Sequence, residues 1–222
     1  MSHTLPHLDP IWIYPTQNRE WQEAITAEFA IDPAIAAILV ARGFTSLTTI
    51  HDYLYAKLPD LINPDLMPDM EKATRRIAEA RANGEGILIY GDNDVDGMTG
   101  TALLVDFLSR IGCRVIYYLP DRNASRMSLS TEARTLAQRE ACSLIITVDC
   151  GTTAADEVAI LATHGIDVIV TDHHEPTDTL PEAVALLNPK LTSSSYPNRD
   201  ITGVGAAFKL AHALTTQIVA TE

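Results

Sequence analysis

Asp92, Asp94 and Asp96 alternate along the stretch YGDNDVDG, residues 90–97. Three like charges so close together repel, and a divalent cation is the simplest means of making them tolerable. Asp149 stands in VDCG, and Asp172 in TDHHEP is followed at once by His173 and His174. Carboxylates and imidazoles without thiolates are a donor set suited to Mn²⁺, Mg²⁺ or Zn²⁺. DNDVDG also matches the first six positions of a calcium-binding EF-hand loop. That loop needs a glutamate at its twelfth position, where this chain has Leu103, and helices rather than an apolar strand on its flanks.

Position matters more than count. The three aspartates follow the apolar run ILIY, Asp149 closes LIITVD, and Asp172 closes VIVTD. Taken singly, Asp149 could cap the next helix and the two histidines could be turn residues. Together, five carboxylates and two imidazoles at one sheet edge would repel or be desolvated without a cation. In an open parallel sheet, ligands bind beyond the carboxyl ends of the strands. The alternate spacing of Asp94 and Asp96 would aim both to one side of an extended backbone. Gly97 would then turn the chain into a helix from about Met98 to Ile111, whose N-terminus could receive a phosphate.

The elements needed to hold these residues are legible around them. Apolar, β-branched runs at ILIY, RVIYY, LIITV, VIVT and AVALL are separated by amphipathic helical stretches. This pattern predicts a doubly wound, mainly parallel α/β sheet buried on both faces. Ahead of it, residues 16–57 read as helices; Asp32 and Pro33 provide an N-cap and first-turn signal, and Gly43 a stop. Three prolines between Leu58 and Pro68 suit a linker. The expected organisation is a helical region over 1–67 and the α/β domain over 68–222.

Composition bounds the function. The chain of 222 residues carries a net charge of −13, which argues against gripping nucleic acid unaided, because phosphate contacts come from Lys and Arg. Part of that excess would be a metal site counted without its metals. No apolar run is long enough to span a membrane, and the amino terminus lacks a secretory pattern. Cys113, Cys142 and Cys150 show no metal-ligand spacing, so free thiols in a cytoplasmic protein are expected.

YGDNDVDGMTGTALL, ITVDCGTTA and VTDHHEP, in that order, resemble the first three motifs of the DHH phosphoesterase superfamily. Within it the similarity is to the RecJ family of single-strand-specific 5′→3′ DNA exonucleases. It extends to ILVARGFTS and DLINPDLMPDMEKATRRI before the motifs and to NPKLTSSSYPNRDITGVGAAFKLAHAL after them. The resemblance implies metal-dependent phosphodiester hydrolysis with two Mn²⁺ or Mg²⁺ ions. Asp92 and Asp94 would serve one ion, Asp96 the other, and Asp149 both. His173 would be a ligand, and His174 would touch metal or the scissile phosphate. Asp172 would orient an imidazole, making Asp149, His174 and Asp172 the catalytic set. Arg122, Arg126, Gly203 and Gly205 would meet substrate.

Two departures qualify what is expected. The family carries a fourth motif with a further metal-binding aspartate, whereas the last aspartate here is Asp200, so a weakened second metal site is expected. SRMSL, residues 125–129, stands where the family has an EGYGL-like stretch. Single-stranded DNA is therefore expected as substrate only with further domains or a complementary carboxy-terminal polypeptide. The alternatives are a non-catalytic RecJ-like partner module, or a phosphodiesterase acting on short oligonucleotides or cyclic dinucleotides. No membrane role is expected.

Overall fold

A computed structural model describes residues 18–120 and 129–221. It divides the chain into two compact units, Met1–Leu61 and Ile62–Glu222. In the first unit, α1 (Arg19–Phe29), α2 (Pro33–Ala41) and α3 (Leu47–Tyr55) enclose Ile25, Ala36, Leu39 and Ile50. Asp32 caps α2 by accepting from Ala34 N at 2.8 Å, with Pro33 at the first helical position. Trp21 is part of this small core and donates from Nε1 to Phe44 O at 2.7 Å.

The second unit begins at Ile62, inside the proline-rich stretch. Pro64–Leu66 forms a 3₁₀ turn there, and Met67 is fully buried in the core. The second half of the expected linker is therefore packed structure. Apolar residues between its prolines explain the difference, because Met67 and Ile62 have a core to join.

Five parallel strands follow: β1 (Gly86–Gly91), β2 (Arg114–Tyr118), β3 (Cys142–Val148), β4 (Asp167–Thr171) and β5 (Ala185–Leu187), in the order β2-β1-β3-β4-β5. Helices α4 (Met70–Asn83), α5 (Val95–Arg110), α6 (Leu129–Arg139), α7 (Ala155–Thr163) and α8 (Gly203–Thr221) flank them. This is the expected doubly wound architecture. Every residue of β1 is buried, and its side chains alternate between two cores. Ile87 and Ile89 enter the one that contains Leu104 of α5 and Leu210 of α8. Leu88 and Tyr90 enter the one that contains Ala133 of α6 and Leu161 of α7. Burial on both faces is why these strands read as unbroken apolar runs.

The chain leaves β1 toward β2 and returns on the other side of β1 to form β3. The switch point, where such sheets open a crevice at their carboxyl edge, thus lies between β1 and β3.

Candidate metal centre

Each of three adjacent strands is prolonged by one aspartate whose amide continues the ladder. Asp92 N donates to Val148 O at 3.1 Å, Asp149 N to Thr171 O at 2.9 Å, and Asp172 N to Leu187 O at 3.1 Å. The parallel register therefore sets Asp92, Asp149 and Asp172 side by side along the carboxyl edge of β1, β3 and β4.

The turn after β1 differs from the expected one. Helix α5 starts at Val95 rather than Met98, because Asp94 is its N-cap and accepts from Gly97 N at 2.9 Å. Asp94 and Asp96 therefore do not share an extended backbone: one caps the helix and the other lies in its first turn. Gly97 serves close packing instead of a turn, since a Cβ there would lie 2.4 Å from the Asp92 carbonyl oxygen.

Two sets of side chains converge. Asp92, Asp94 and Asp149 each bring a carboxylate oxygen within 4.8 Å of the others, and Asp149, His173 and His174 do the same with oxygen and ring nitrogen. Asp149 belongs to both sets. It is 2% exposed, and its φ of 61° is a left-handed conformation that favours glycine, which marks local strain at this position. His173 Nε2 lies 3.1 Å from Asp149 Oδ1 without hydrogen-bond alignment, so that buried oxygen has no hydrogen-bond partner among the described residues. An orphaned buried carboxylate oxygen is costly unless something positive meets it.

The titration of these groups follows from their surroundings. Burial first, then the neighbouring Asp96 and Asp94 charges, pushes the Asp149 carboxyl up to about 7. Asp94 is held below the usual carboxylate range chiefly by the Gly97 amide. Burial alone would raise Asp172, but the Thr152 amide and hydroxyl and the His174 ring outweigh it and hold the group ionised. Burial would lower His174, yet the hydrogen bond to Asp172 and that residue's charge carry it upward.

Asp172 organises the loop that follows. Its Oδ1 accepts from His173 N at 2.7 Å, His174 N at 3.1 Å and His174 Nδ1 at 2.7 Å, and its Oδ2 accepts from Thr152 N at 2.9 Å. With Nδ1 of His174 so engaged, Nε2 is the ring nitrogen left for a ligand. Asp96 stands beside the cluster, 3.7 Å from His173 Nε2, and accepts backbone amides from the start of α8. The amides of Gly203 and Gly205 donate within the protein, to Asp96 and to Thr202 Oγ1. Arg122 and Arg126 lie outside the described residues.

Asn188 carried no signal that sequence reasoning used, and Gly203, expected to meet substrate, is found packed against Asp149. Asn188, fully buried just after β5, donates to Thr152 Oγ1 and to His174 O, both at 2.9 Å, and so braces the histidine turn. Gly203 packs so tightly on Asp149 that a Cβ would stand 2.3 Å from Oδ1. A polar residue directly after an apolar strand was the available hint for Asn188.

The model of the DHH family, N-terminal domain, matches residues 86–221, more than half of the chain. This chain belongs to the DHH family. Among curated DHH relatives, the single-stranded-DNA-specific exonuclease RecJ of Bacillus subtilis is 37% identical over 207 residues, 93% of this chain and 26% of its own length. RecJ of Escherichia coli K12 is 36% identical over 201 residues, covering 90% of this chain and 34% of its own. The chain thus spans roughly a quarter to a third of these relatives. The crystal structure of RecJ in complex with Mn²⁺ from Thermus thermophilus superposes with a TM-score of 0.70 at 30% identity, over 93% of this chain and 28% of that one. An exonuclease RecJ bound to manganese gives a TM-score of 0.60 at 36% identity, over 68% of this chain and 38% of that one.

Proposed function

We propose that this DHH domain is the metal-binding part of an exonuclease that hydrolyses phosphodiester bonds of single-stranded DNA with two divalent cations, Mn²⁺ or Mg²⁺. One observation carries the reading: Asp149, buried and with an orphaned oxygen, is shared by the two ligand sets. Asp92 and Asp94 would complete one cation site and His173 and His174 the other, with Asp96 beside them. Bound cations supply charge neutralisation at phosphoryl oxygens and acidify water for attack at phosphorus. The protein's own groups do the rest. Asp149, whose carboxyl burial pushes up to about 7, would give up its proton to solvent in order to hold a cation. Asp172 keeps the His174 ring oriented with Nε2 free for a cation or for a phosphate oxygen, and Asn188 keeps the turn from moving.

The relatives named RecJ act on single-stranded DNA and support that substrate. A net charge of −13 argues that this chain grips a strand only with further polypeptide, in cis or as a complementary carboxy-terminal chain. Among the described residues no helix is long and apolar enough to cross a membrane. The free thiols of Cys113, Cys142 and Cys150 fit a reducing cytoplasm.

The test is Mn²⁺-dependent release of nucleotides from a 5′-phosphorylated single strand, with duplex DNA and a dinucleotide as competing substrates and Asp149→Ala as control. Release from the single strand that vanishes in the variant is the expected result. Preference for the dinucleotide would move the assignment to short oligonucleotides. No hydrolysis of any of the three, with or without a complementary carboxy-terminal piece, would leave a non-catalytic module.

A further inference from the structure

The first N–H groups of an α-helix lack partners within it, and at the start of α8 those of Gly203, Val204 and Gly205 are taken up by side chains. Gly205 N donates to Thr202 Oγ1 at 3.2 Å, a local cap, and Ala206 N donates to Thr202 O at 2.9 Å, the first bond of the helix itself. Gly203 N donates to Asp96 Oδ2 at 2.6 Å and Val204 N to Asp96 Oδ1 at 2.7 Å. Two of these three amides are therefore capped from the first turn of a different helix, 107 residues away in sequence from Gly203. Both oxygens of Asp96 are committed, and the carboxylate sits at the positive ends of α5 and α8 together, where helix dipoles favour negative charge. Across the same joint, a Cβ on Gly100 would lie 3.2 Å from Val204 Cα and 2.6 Å from Val148 Cγ1, so α5 and α8 are pressed together immediately behind the end of β3.

The terminus held this way reaches the shared carboxylate. Gly203 backs directly onto Asp149, with room for a hydrogen and not for a methyl group. We infer that Asp96 is a positioning residue: by capping α8 from α5 it holds Gly203 against Asp149 and fixes the Asp149 carboxylate that both ligand sets share. What Asp149 is positioned to bind rests on the proposed cation centre; the cap itself does not. The GVG stretch accordingly belongs to the site as a wall that orients Asp149, its amides being spent on Asp96 and Thr202. Coordination of a cation through the remaining lone pairs of Asp96 is compatible with this role, since a carboxylate oxygen can accept more than one partner.

The experiment reads backbone amide exchange by NMR in the metal-free chain, for wild type, Asp96→Asn and Asp96→Ala, and Mn²⁺ affinity by paramagnetic resonance for wild type and Gly203→Ala. Asp96→Ala is expected to speed exchange at Gly203 and Val204 by about tenfold, the scale of a lost N-cap, while leaving Ala206 protected. Asp96→Asn, which keeps the shape and one acceptor, should expose only one of the two amides and guards against a variant that fails to fold. Gly203→Ala removes no carboxylate or imidazole, yet should weaken Mn²⁺ binding by about tenfold or more, the scale seen when support behind a ligand is lost. A merely structural cap would leave that affinity at the wild-type value. Unchanged protection of Gly203 and Val204 in Asp96→Ala, or unchanged Mn²⁺ affinity in Gly203→Ala, overturns the inference. A wild-type chain that takes up no Mn²⁺ sinks the proposed function instead, and the amide result then decides the role of Asp96 alone.

Discussion

Asp172 Oδ1 and His174 Nδ1 are 2.7 Å apart, and the same oxygen also accepts the His174 backbone amide at 3.1 Å. One buried oxygen thus fixes both the main chain and the ring of His174, while its partner Oδ2 ties the turn to Thr152 in the loop after β3. An asparagine at 172 would replace one of these acceptor oxygens by an amino group facing an N–H. Asp172→Asn is expected to cost about 1–3 kcal/mol of stability through unsatisfied buried donors. It should also weaken Mn²⁺ binding by about 10- to 100-fold through the loss of ring orientation. Urea unfolding and a Mn²⁺ titration on the same variant check both numbers.

The same pair sets a pH window. Asp172 is held low in the folded state, so its contribution is present above about pH 4 and lost as pH falls through its folded value. His174 is carried upward, so its contribution is complete below about pH 6.5 and lost as pH rises through its folded value. The stabilisation from the pair should therefore be greatest between about pH 4 and 6.5, measured as the difference in unfolding free energy between wild type and Asp172→Asn across pH.

Asp149 acts with the opposite sign. Its folded value of about 7 means that the folded chain keeps a proton which the unfolded chain releases near pH 4. Metal-free stability should fall as pH rises from about 4 to about 7 and stay low above it. Asp149→Asn removes that slope. At pH 8 in a chelator the variant should be more stable than wild type by on the order of 2–4 kcal/mol, while losing metal binding. Denaturant unfolding of both proteins at pH 5 and pH 8 decides it.

Cation binding should invert this trend. A cation saturating the site at about 100 times its dissociation constant stabilises a fold by about 2.7 kcal/mol. Because the proton on Asp149 competes with the cation, the rise in melting temperature on adding Mn²⁺ should be larger at pH 8 than at pH 5. Equal shifts at the two pH values would mean that Asp149 is not a ligand.

Gly97→Ala tests the packing of the aspartate turn. The added methyl would meet the Asp92 carbonyl at 2.4 Å, and the obstacle is backbone rather than a flexible side chain. A loss of about 1–3 kcal/mol is expected from overpacking, together with weaker Mn²⁺ binding as Asp92 is displaced. Unfolding and Mn²⁺ titration of this variant report the two effects separately.

Much of this molecule was readable in its residues. The apolar runs that became β1, β3 and β4 are buried on both faces, so they carried no alternation to mislead, and each ended at the aspartate that now lines the sheet edge. The start of α5 was misplaced because Asp94 and Asp96 looked like an extended pair. An aspartate three residues before a glycine amide can equally be an N-cap, and that local bond prevailed. The grip of Asp96 on α8 and the bracing of His174 by Asn188 join residues 107 and 14 positions apart. Such contacts are made by tertiary packing, and no local pattern announces them. Met67 was similarly hidden, since prolines around it suggested a linker while its own side chain reached the core.

The most direct measurement of the central claim is isothermal calorimetry of Mn²⁺ into the metal-free chain at pH 8, beside Asp149→Ala. Because both ligand sets share Asp149, two ions should bind the wild type and neither should bind the variant with comparable affinity. A wild type that binds no Mn²⁺, or a variant that binds it as the wild type does, would contradict the account.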